Sequence, residues 1–329
     1  KRRGHEIGDI LGCDEKGEEI CVRKGKGNLY VDGNMEKEQL FDFMRSQIYQ
    51  NIQRGDSMVI VDLGSRIYKR ELWIYLTIHG YRVDSYNMDC MTESDCFNCL
   101  DGLGAENEEQ IVMIANDIID DQKYKFMTYP VETVCKALLS AVLLASLTEM
   151  EESDRNMLEI ATIFRLGVSG TMLDKILHVM FEELDETSSA KQLFAMYSEA
   201  EEGIRMEAIQ KIGNALAVYE KRANGSLCDN FRTNRYDMEM PVKEKSVLFI
   251  ESGQLPEDKV LFSVFMERLY DSMLKKAEER QQDVTVMLLD YPYYGGLCGL
   301  EKYMEEGPEK GICTTLYESL MEAAMHRIW

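Results

Sequence analysis

No stretch of the 329-residue sequence approaches the ~20 uncharged apolar residues that a helix needs to cross a bilayer. The longest apolar run, Ala137 to Leu147, is much shorter and follows Glu132 and Lys136, so it predicts a buried helix. No signal peptide is visible at the start of the chain. The first residues, Lys1-Arg2-Arg3, are typical of a cytoplasmic domain that follows a membrane helix, although a cloning boundary gives the same pattern.

Basic residues are in the minority, since 37 Lys and Arg stand against 59 Asp and Glu, for a formal net charge of −22. Such a charge opposes the attraction to phosphate backbones on which most nucleic-acid-binding proteins rely. We therefore expect no direct DNA binding. The content of 45% hydrophobic and 29% charged residues is that of a soluble globular protein, and the length allows one or two domains.

The nine cysteines lack the regular spacing of a secreted disulfide framework, which favours a reducing cytoplasm. The four histidines lack the spacing of metal ligands, so the sequence predicts no metal site. One group, Cys90, Cys96 and Cys99, contains a C-x-x-C pair of the kind that holds zinc, but a second pair at matching distance is missing. Structural or incidental thiols are the preferred interpretation. Stoichiometric zinc in the purified protein would instead favour a small metal or ligand module.

Strand and helix patterns alternate at both ends of the chain. Ser57–Leu63 is a β-branched buried-strand run, the following residues up to Gly80 have helical spacing, and "YRVDSYNM" predicts a second strand. Lys245–Ile250, a helix beginning "DKVLF" and the strand Val284–Asp290 repeat this order, and "ICTTLYESLMEAAMHRIW" predicts a last strand and helix. The order indicates an open sheet of parallel strands, whose ligand sites lie beyond the carboxyl ends of the strands.

The segment between Pro130 and Pro241 contains no proline and is helical in character. Five runs predict five helices, namely "VETVCKALLSAVLLASL", "RNMLEIATIFRLG", "GTMLDKILHVMFEEL", "AKQLFAMYSEA" and "IRMEAIQKIGNALAVYEKR". We expect an all-α domain of residues 130–240, inserted into an α/β domain of residues 1–129 and 241–329. Core packing, rather than a methionine-rich binding groove, is predicted for apolar helical positions such as Met172, Met180, Met266 and Met273.

The stretch "NLYVDGNMEKEQLFDF", from Asn28 to Phe43, has the layout of a phosphate-binding loop but lacks its residues. A working loop reads G-x-x-x-x-G-K-[ST], and its glycines let backbone N–H groups close around the phosphates. Only Lys37 stands where the motif requires a given residue. The stretch is therefore either a dismantled nucleotide site or a strand-turn-helix that never held a nucleotide.

The order of elements resembles that of the type IV secretion coupling proteins, the RecA-like ATPases of conjugative DNA transfer. In that family the strand of the phosphate loop is followed by a D-P-K-G-E-L-Y strand, a G-Y-x-V-x-x-x-N segment, a helical insert and a strand ending D-E-F. Here "GDSMVIVDLGSRIYKRE", "HGYRVDSYNM" and "VTVMLLDYPYYGG" stand in the places of the second motif, the G-Y segment and the acidic strand end. "FNCLDGL" stands where the family has an asparagine-proline-aromatic/leucine segment, and "KGICTTLYESLMEAA" where it has a last strand and helix. The resemblance implies an α/β fold with a RecA-like P-loop NTPase-type parallel sheet and an inserted all-α domain.

The family's ATPase residues are largely replaced. Glu36 stands at the glycine before the loop lysine, and Glu38 stands at the hydroxyl residue after it. Only the aspartate of the second motif is kept, and a tyrosine stands where the family polarises water. The resemblance therefore implies no catalytic residue and these vestigial nucleotide-site positions: Gly33, Glu36, Lys37, Glu38, Asp62, Asp290 and Tyr291.

Electrostatics explains why these replacements matter. A carboxylate ~4 Å from a phosphate charge costs about 4 kcal/mol at an effective dielectric near 20, so two glutamates would abolish ordinary nucleotide binding. The helix end attracts anions, and Asp32, Glu36 and Glu38 supply that negative charge from the protein itself. We therefore expect no cofactor.

The resemblance and its departures imply a catalytically inactive pseudo-ATPase component of conjugative DNA transfer or type IV secretion, acting as a protein-binding scaffold or regulator. Its expected partners are proteins of that apparatus, such as an active ATPase or a relaxase. The expected location is the cytoplasm, on the inner face of the membrane if a segment outside this chain anchors it. The alternative is an active DNA-translocating ATPase with an atypical phosphate loop, which micromolar affinity for ATP with Mg²⁺ would favour.

Two acidic runs lie in the helical segment, "EMEESD" at 149–154 and "FEELDE" at 181–186. Such runs form either a solvated face or a surface for a basic partner, for which a DNA-processing relaxase is one example.

Overall fold

The computed structural model describes residues 9–13, 19–22, 27–31, 37–63, 67–88, 90, 94–120, 129–165, 170–223, 231–233, 235–252, 258–289 and 299–317. The chain forms two compact units. The sheet unit comprises Lys1–Glu93, Tyr236–Gln254 and Arg268–Trp329, and the helical unit comprises Ser94–Arg235 and Leu255–Glu267. The domain boundaries after residues 129 and 240 rest on sequence character rather than on contacts, and they stay a prediction.

The strands are β1 (Asp9–Cys13), β2 (Glu19–Val22), β3 (Leu29–Val31), β4 (Ser57–Leu63), β5 (Arg82–Asn87), β6 (Ser246–Ser252), β7 (Val284–Leu289) and β8 (Ile312–Tyr317). The helices are α1 (Lys37–Arg54), α2 (Ile67–Ile78), α3 (Glu108–Asp120), α4 (Tyr129–Glu149), α5 (Met157–Arg165), α6 (Gly170–Glu182), α7 (Ser189–Ser198), α8 (Glu202–Arg222), α9 (Met240–Lys243), α10 (Asp258–Lys276) and α11 (Leu300–Glu306).

The sheet unit is built on six parallel strands in the order β3-β8-β7-β4-β6-β5, and β1 and β2 form a separate antiparallel pair. In β4, Met58 to Val61 are all buried, as is typical of a parallel strand that is covered on both faces. β4 and β5 follow each other along the chain and are joined through α2, but they are not neighbours in the sheet because β6 lies between them. The space between β4 and β5 is therefore filled by β6, a strand that follows the helical segment in the sequence.

Helices α1 and α2 cover one face of this sheet. Met44 and Ile48 of α1 and Leu72 and Leu76 of α2 are buried in a core cluster whose sheet residues include Met58, Ile60, Val247, Phe249, Met287 and Tyr317. Their spacing of four residues forms the apolar stripe that a helix turns toward a core. Burial of such side chains contributes ~1.5–3 kcal/mol each relative to exposure.

Both helices end in the same way. Gly55 after α1 and Gly80 after α2 have positive φ angles of 82° and 78°, a conformation that favours glycine. The next N–H groups, of Asp56 and Tyr81, donate back to the carbonyls of Asn51 and Leu76 at 3.1 Å in each case. This is the Schellman pattern, and it turns the chain directly into β4 and β5.

The helical unit contains α3 to α8. Helix α4 lies at its centre and contacts α3, α7 and α8, and its buried residues run almost without interruption from Val134 to Leu147. By length and composition, α4 is the one helix among the described residues that is apolar enough to cross a membrane. Because 78% of its most apolar window is buried within the protein, it has the character of a core helix.

A polar lock joins three helices of this unit. The buried Asp174 carboxylate of α6 accepts hydrogen bonds from the Tyr197 hydroxyl of α7 at 2.7 Å and from Arg205 of α8, whose Nε and Nη2 lie at 3.0 and 3.3 Å. His178 lies one turn along α6, with its Nδ1 3.6 Å from the same carboxylate. The hydrogen bonds and the positive charge of Arg205 replace the water that the Asp174 carboxylate loses on burial, which is the usual condition for burying a charge.

The strands predicted from Ser57–Leu63, "YRVDSYNM", Lys245–Ile250 and Val284–Asp290 are confirmed, and so are the helix after Ser57–Leu63, the helix beginning "DKVLF" and the five helices of the insert. Helix α3 and the pair β1 and β2 were not predicted. Of the last strand and helix, β8 is confirmed, and residues 318–329 lie outside the described residues.

The prediction for the methionines is half wrong. Met266 and Met273 of α10 are fully buried, but Met172 and Met180 of α6 are 57% and 46% exposed. Helix α6 is apolar on more than one face, since Leu173 and Leu177 already fill the side that packs inward. Four apolar residues on the other side of this helix are exposed, namely Met172, Ile176, Val179 and Met180.

Candidate functional site

The carboxyl ends of the parallel strands lie in one row at one edge of the sheet. Val31 of β3 and Leu289 of β7 are both in register with Tyr317 of β8, which lies between them. The two strands therefore end at the same level, and in the sequence Gly33 and Glu36 follow the first and Asp290 and Tyr291 follow the second. These four residues themselves lie outside the described residues.

The other three predicted positions lie on described backbone. Lys37 and Glu38 are the first two residues of α1. Asp62 is the sixth residue of β4 and follows Val61, which is in register with Leu288 of β7. The fold therefore places the carboxyl ends of β3, β4 and β7 at one edge of the sheet, where open α/β sheets bind ligands, and of the predicted positions Asp62 lies on one of these described strand ends.

Asn28 holds the strand that leads into the loop. Its Nδ2 donates to the carbonyl of Met304 at 2.6 Å, and its Oδ1 accepts from the N–H of Thr314 on β8 at 2.8 Å. Because β3 has only three residues and one neighbouring strand, this side chain adds fixed partners to a short edge strand. These bonds fix the start of β3 against β8 and α11.

A polar cluster at the same edge was missed by the sequence reading. Glu251 of β6 is 2% exposed, and its Oε2 accepts hydrogen bonds from Lys69 Nζ at 3.3 Å and from Asn87 Nδ2 at 2.9 Å. Lys69, in the first turn of α2, also donates to the Ser85 hydroxyl at 2.8 Å. The sequence does contain a signal for this cluster, because the hydrophobic run of β6 ends at the acidic residue Glu251 just as the run of β4 ends at Asp62.

Register explains why these groups meet. Glu251 is directly opposite Asp62 on one side and Asn87 on the other. Neighbouring strands are ~4.8 Å apart, so two acidic positions stand side by side at this edge. An edge with this charge favours a cation or a basic group, and Lys69 of the protein itself supplies one.

The cysteine group does not form a metal centre in the described part of the chain, where no three or more His, Cys, Asp or Glu side chains come close enough to hold an ion. Cys96 and Cys99 are buried, and Cys90 is partly exposed. The backbone N–H of Cys90 donates to Asn87 Oδ1 at 2.9 Å, and the carbonyl of Cys96 accepts from the N–H of Arg235 at 3.1 Å. These contacts belong to the backbone rather than to the thiols.

The six-stranded parallel sheet with a long helical insertion is an α/β fold of the RecA-like type, the fold shared by the solved structures to which this chain is similar. The resemblance predicted from the sequence is confirmed at the level of the fold. The bacterial conjugative coupling protein TrwBdeltaN70 superposes with a TM-score of 0.62 and 15% identity, over 99% of this chain and 71% of that chain.

Two further solved structures are similar. TrwB in complex with the non-hydrolysable ATP analogue ADPNP has a TM-score of 0.59 and 13% identity, over 96% of this chain and 68% of that chain. VirB4 of Thermoanaerobacter pseudethanolicus has a TM-score of 0.53 and 10% identity, over 97% and 78%. No protein-family profile and no curated protein sequence matches this chain. At such identities the likeness shows the shared fold alone.

Proposed function

We propose that the protein is a catalytically inactive relative of the coupling ATPases and acts as a protein-binding component of conjugative DNA transfer or type IV secretion. Its structural neighbours are the coupling protein TrwB and VirB4. The observation that carries the proposal is the composition of the helix end at the ligand edge of the sheet. There α1 begins with Lys37 and Glu38, directly after Glu36.

The donor set at this helix end does not fit a nucleotide. The first N–H groups of a helix are free to bind an anion, and TrwB is described in complexes with ADPNP, with sulphate, and with ADP and Mg²⁺. In this chain the first turn of α1 carries the Glu38 carboxylate, and Glu36 precedes it. Each carboxylate at ~4 Å from a phosphate opposes binding by about 4 kcal/mol.

We infer that Gly33, Glu36, Lys37, Glu38, Asp62, Asp290 and Tyr291 are the vestigial positions of this site. The protein would then contribute surfaces rather than hydrolysis, with a secretion ATPase or a relaxase as partner. The net charge of −22 supports a role without direct DNA contact. A cytoplasmic position near the membrane follows from the same proposal.

Isothermal titration calorimetry of the protein with ATP and Mg²⁺ tests this function. We expect no saturable heat at millimolar nucleotide. The double variant Glu36→Gln/Glu38→Gln removes two opposing charges, and we expect it to gain at least about tenfold in affinity, since ~1.4 kcal/mol is a factor of ten. Glu36→Gly/Glu38→Thr, which restores the residue types of the motif beside Lys37, should gain more.

The matched control is Glu305→Gln/Glu309→Gln, which changes the net charge equally at two exposed residues remote in sequence from α1. This control should leave nucleotide binding unchanged. Micromolar affinity of the unaltered protein for ATP with Mg²⁺ would overturn the proposal and favour an active ATPase with an atypical loop. Equal gains in the control and in the Glu36/Glu38 variant would show that only overall charge matters.

A further inference from the structure

The two acidic runs of the helical segment converge on a shared apolar cleft. The run 149–154 begins at the end of α4, and the run 181–186 begins at the end of α6. Residues of both runs, Glu149 and Met150 from the first and Phe181 and Leu184 from the second, line the cleft. The remaining lining residues come from α4, α5 and α6: Val142, Ala145, Ser146, Ile163, Leu177 and Met180.

The cleft is too small for an ordinary ligand. Its volume is about 50 Å³, whereas pockets for small molecules measure ~300–1,000 Å³. A water molecule occupies ~30 Å³ in the liquid, so the space admits the end of a single side chain. All but two of its lining residues are apolar. This geometry suits one anchoring apolar side chain of a protein partner.

Exposed apolar residues continue from the cleft along α6. Met180 lines the cleft and is 46% exposed, and Val179, Ile176 and Met172 are 59%, 38% and 57% exposed. Ile176 and Val179 lie one turn apart, and Met172 lies a further turn toward the start of the helix, so they form a stripe on one side of α6. A contiguous apolar surface of this kind in a soluble protein marks a site of interaction.

The charge around the cleft is predominantly negative, although Arg155 donates from its Nε to the carbonyl of Met150 at 2.9 Å. Each acidic run holds four Asp or Glu residues and no Lys or Arg, and all eight acidic side chains are exposed. Lys191 of α7 is the cation seen beside the second run, where its Nζ contacts Glu186 at 2.8 Å and the carbonyls of Glu182 and Leu184. A partner that covers the cleft must therefore bring positive charge to its rim.

We propose that this cleft is the docking site for a basic amphipathic helix of a partner protein, which inserts one apolar side chain beside Met180 and lays Lys or Arg side chains over the two acidic runs. Helices bind grooves in this way through apolar anchors at helical spacing. The proposal rests on the protein-binding role inferred above, but not on the loss of nucleotide binding. Failure of one can therefore be told from failure of the other.

The test measures fluorescence anisotropy of a labelled helical peptide built from leucine and lysine at helical spacing. Two control peptides are oligolysine, which lacks the apolar face, and the same helix with glutamate in place of lysine. We expect the leucine-lysine peptide to bind, the other two to bind at least about tenfold more weakly, and the affinity to fall as salt rises from about 50 mM to about 300 mM.

Variants locate the binding. Met180→Ser should weaken the peptide about tenfold, because it removes the apolar contact beside the cleft. Met196→Ser is the matched control, since Met196 of α7 is 49% exposed and does not line the cleft. The triple variant Glu149→Lys/Glu152→Lys/Glu182→Lys should weaken binding about thirtyfold or more, whereas Glu301→Lys/Glu305→Lys/Glu309→Lys, in the sheet unit, should have less than about a threefold effect.

Each outcome decides for or against the proposal. All these positions are exposed, and circular dichroism establishes that the variants are folded. Equal binding of oligolysine and the amphipathic peptide, or equal effects of Met180→Ser and Met196→Ser, would overturn the proposal. It is also overturned if the peptide fails to bind and sedimentation shows a dimer that Met180→Ser dissociates, because a second copy of the chain would then occupy the cleft.

Discussion

Both units of the molecule bury a carboxylate against a cation from another element, but the two pairs are built differently. Asp174 in the helical unit is held by the planar fork of Arg205 and by the hydroxyl of Tyr197. Glu251 in the sheet unit is held by the single ammonium of Lys69 and by Asn87. Arginine gives fixed, bidentate geometry, whereas lysine is a flexible point charge. The first arrangement fixes three helices, and the second pairs one carboxylate with a cation at the edge at which open α/β sheets bind ligands.

The largest expected effect comes from breaking the lock of the helical unit. Arg205→Met leaves the Asp174 carboxylate buried without its cation, and the loss of a partner from a buried pair costs about 3–5 kcal/mol. Urea unfolding followed by circular dichroism measures the change in the free energy of unfolding. A loss below about 1 kcal/mol would mean that water reaches Asp174 and that the lock is not buried in solution.

A smaller effect is expected at the edge of the sheet. Lys69→Met removes one hydrogen bond to the Glu251 carboxylate, whereas Arg205→Met removes two from Asp174, and Asn87 still donates to Glu251. We expect a loss of about 2 kcal/mol in the same urea experiment. If Lys69→Met were as damaging as Arg205→Met, the difference between the two pairs drawn above would not hold.

The pH dependence sharpens the comparison. Burial opposes ionisation of Asp174, but hydrogen bonds from Arg205 and Tyr197 and the charge of Arg205 outweigh it, so the pKa of the carboxyl lies below its usual value of 3.8. Since the unfolded chain binds a proton more readily than the folded protein, the stabilisation from Asp174 is fully present above pH 3.8 and is lost as the pH falls through the folded-state pKa.

The variant Asp174→Asn isolates this contribution. The difference in unfolding free energy between the unaltered protein and Asp174→Asn should be constant near neutral pH and should shrink as the pH is lowered from about 6 to about 2.5. Urea midpoints at a series of pH values measure it. A difference that does not change with pH would assign the effect of the substitution to packing rather than to charge.

The smallest effect is expected at an exposed arginine–carboxylate pair of the helical unit. Arg165 of α5 pairs with Glu220 of α8, but the Arg165 side chain is 68% exposed. Exposed ion pairs contribute ~0.2–1 kcal/mol, so Arg165→Met should change the free energy of unfolding by less than about 1 kcal/mol. Because this substitution is also Arg to Met within the helical unit, it is the direct control for Arg205→Met. Equal losses in both variants would show that burial is not the deciding difference.

The sequence predicted the elements of the fold well where burial leaves a local pattern. The β-branched run of β4 and the apolar spacing of α2 and α5 to α8 predicted their structures, because side-chain periodicity is a property of neighbouring residues. Helix α3 was missed although its apolar residues have helical spacing. The resemblance to coupling proteins then predicted the sheet and the helical insertion together, and both are present.

The candidate sites were less accessible from sequence. The meeting of Lys69 with Glu251 joins residues 182 positions apart, and it depends on β6 lying between β4 and β5. The exposure of Met180 could not be read from its apolar neighbours, because periodicity does not tell which of two apolar faces of a helix is covered. For the same reason the two acidic runs were predicted separately, without the cleft that joins them.

By itself, the sequence determined which segments become strands and helices, the excess of negative charge, and the absence from Asn28–Phe43 of the glycines and hydroxyl residue that a phosphate loop requires. Those properties depend on residue type and on near neighbours along the chain. Only the tertiary structure decided the order of the strands, the partners of the buried charges and the apolar face of α6 that remains open to solvent. These depend on contacts between distant segments, which form once loop closure and packing have selected among the alternatives that the local patterns allow.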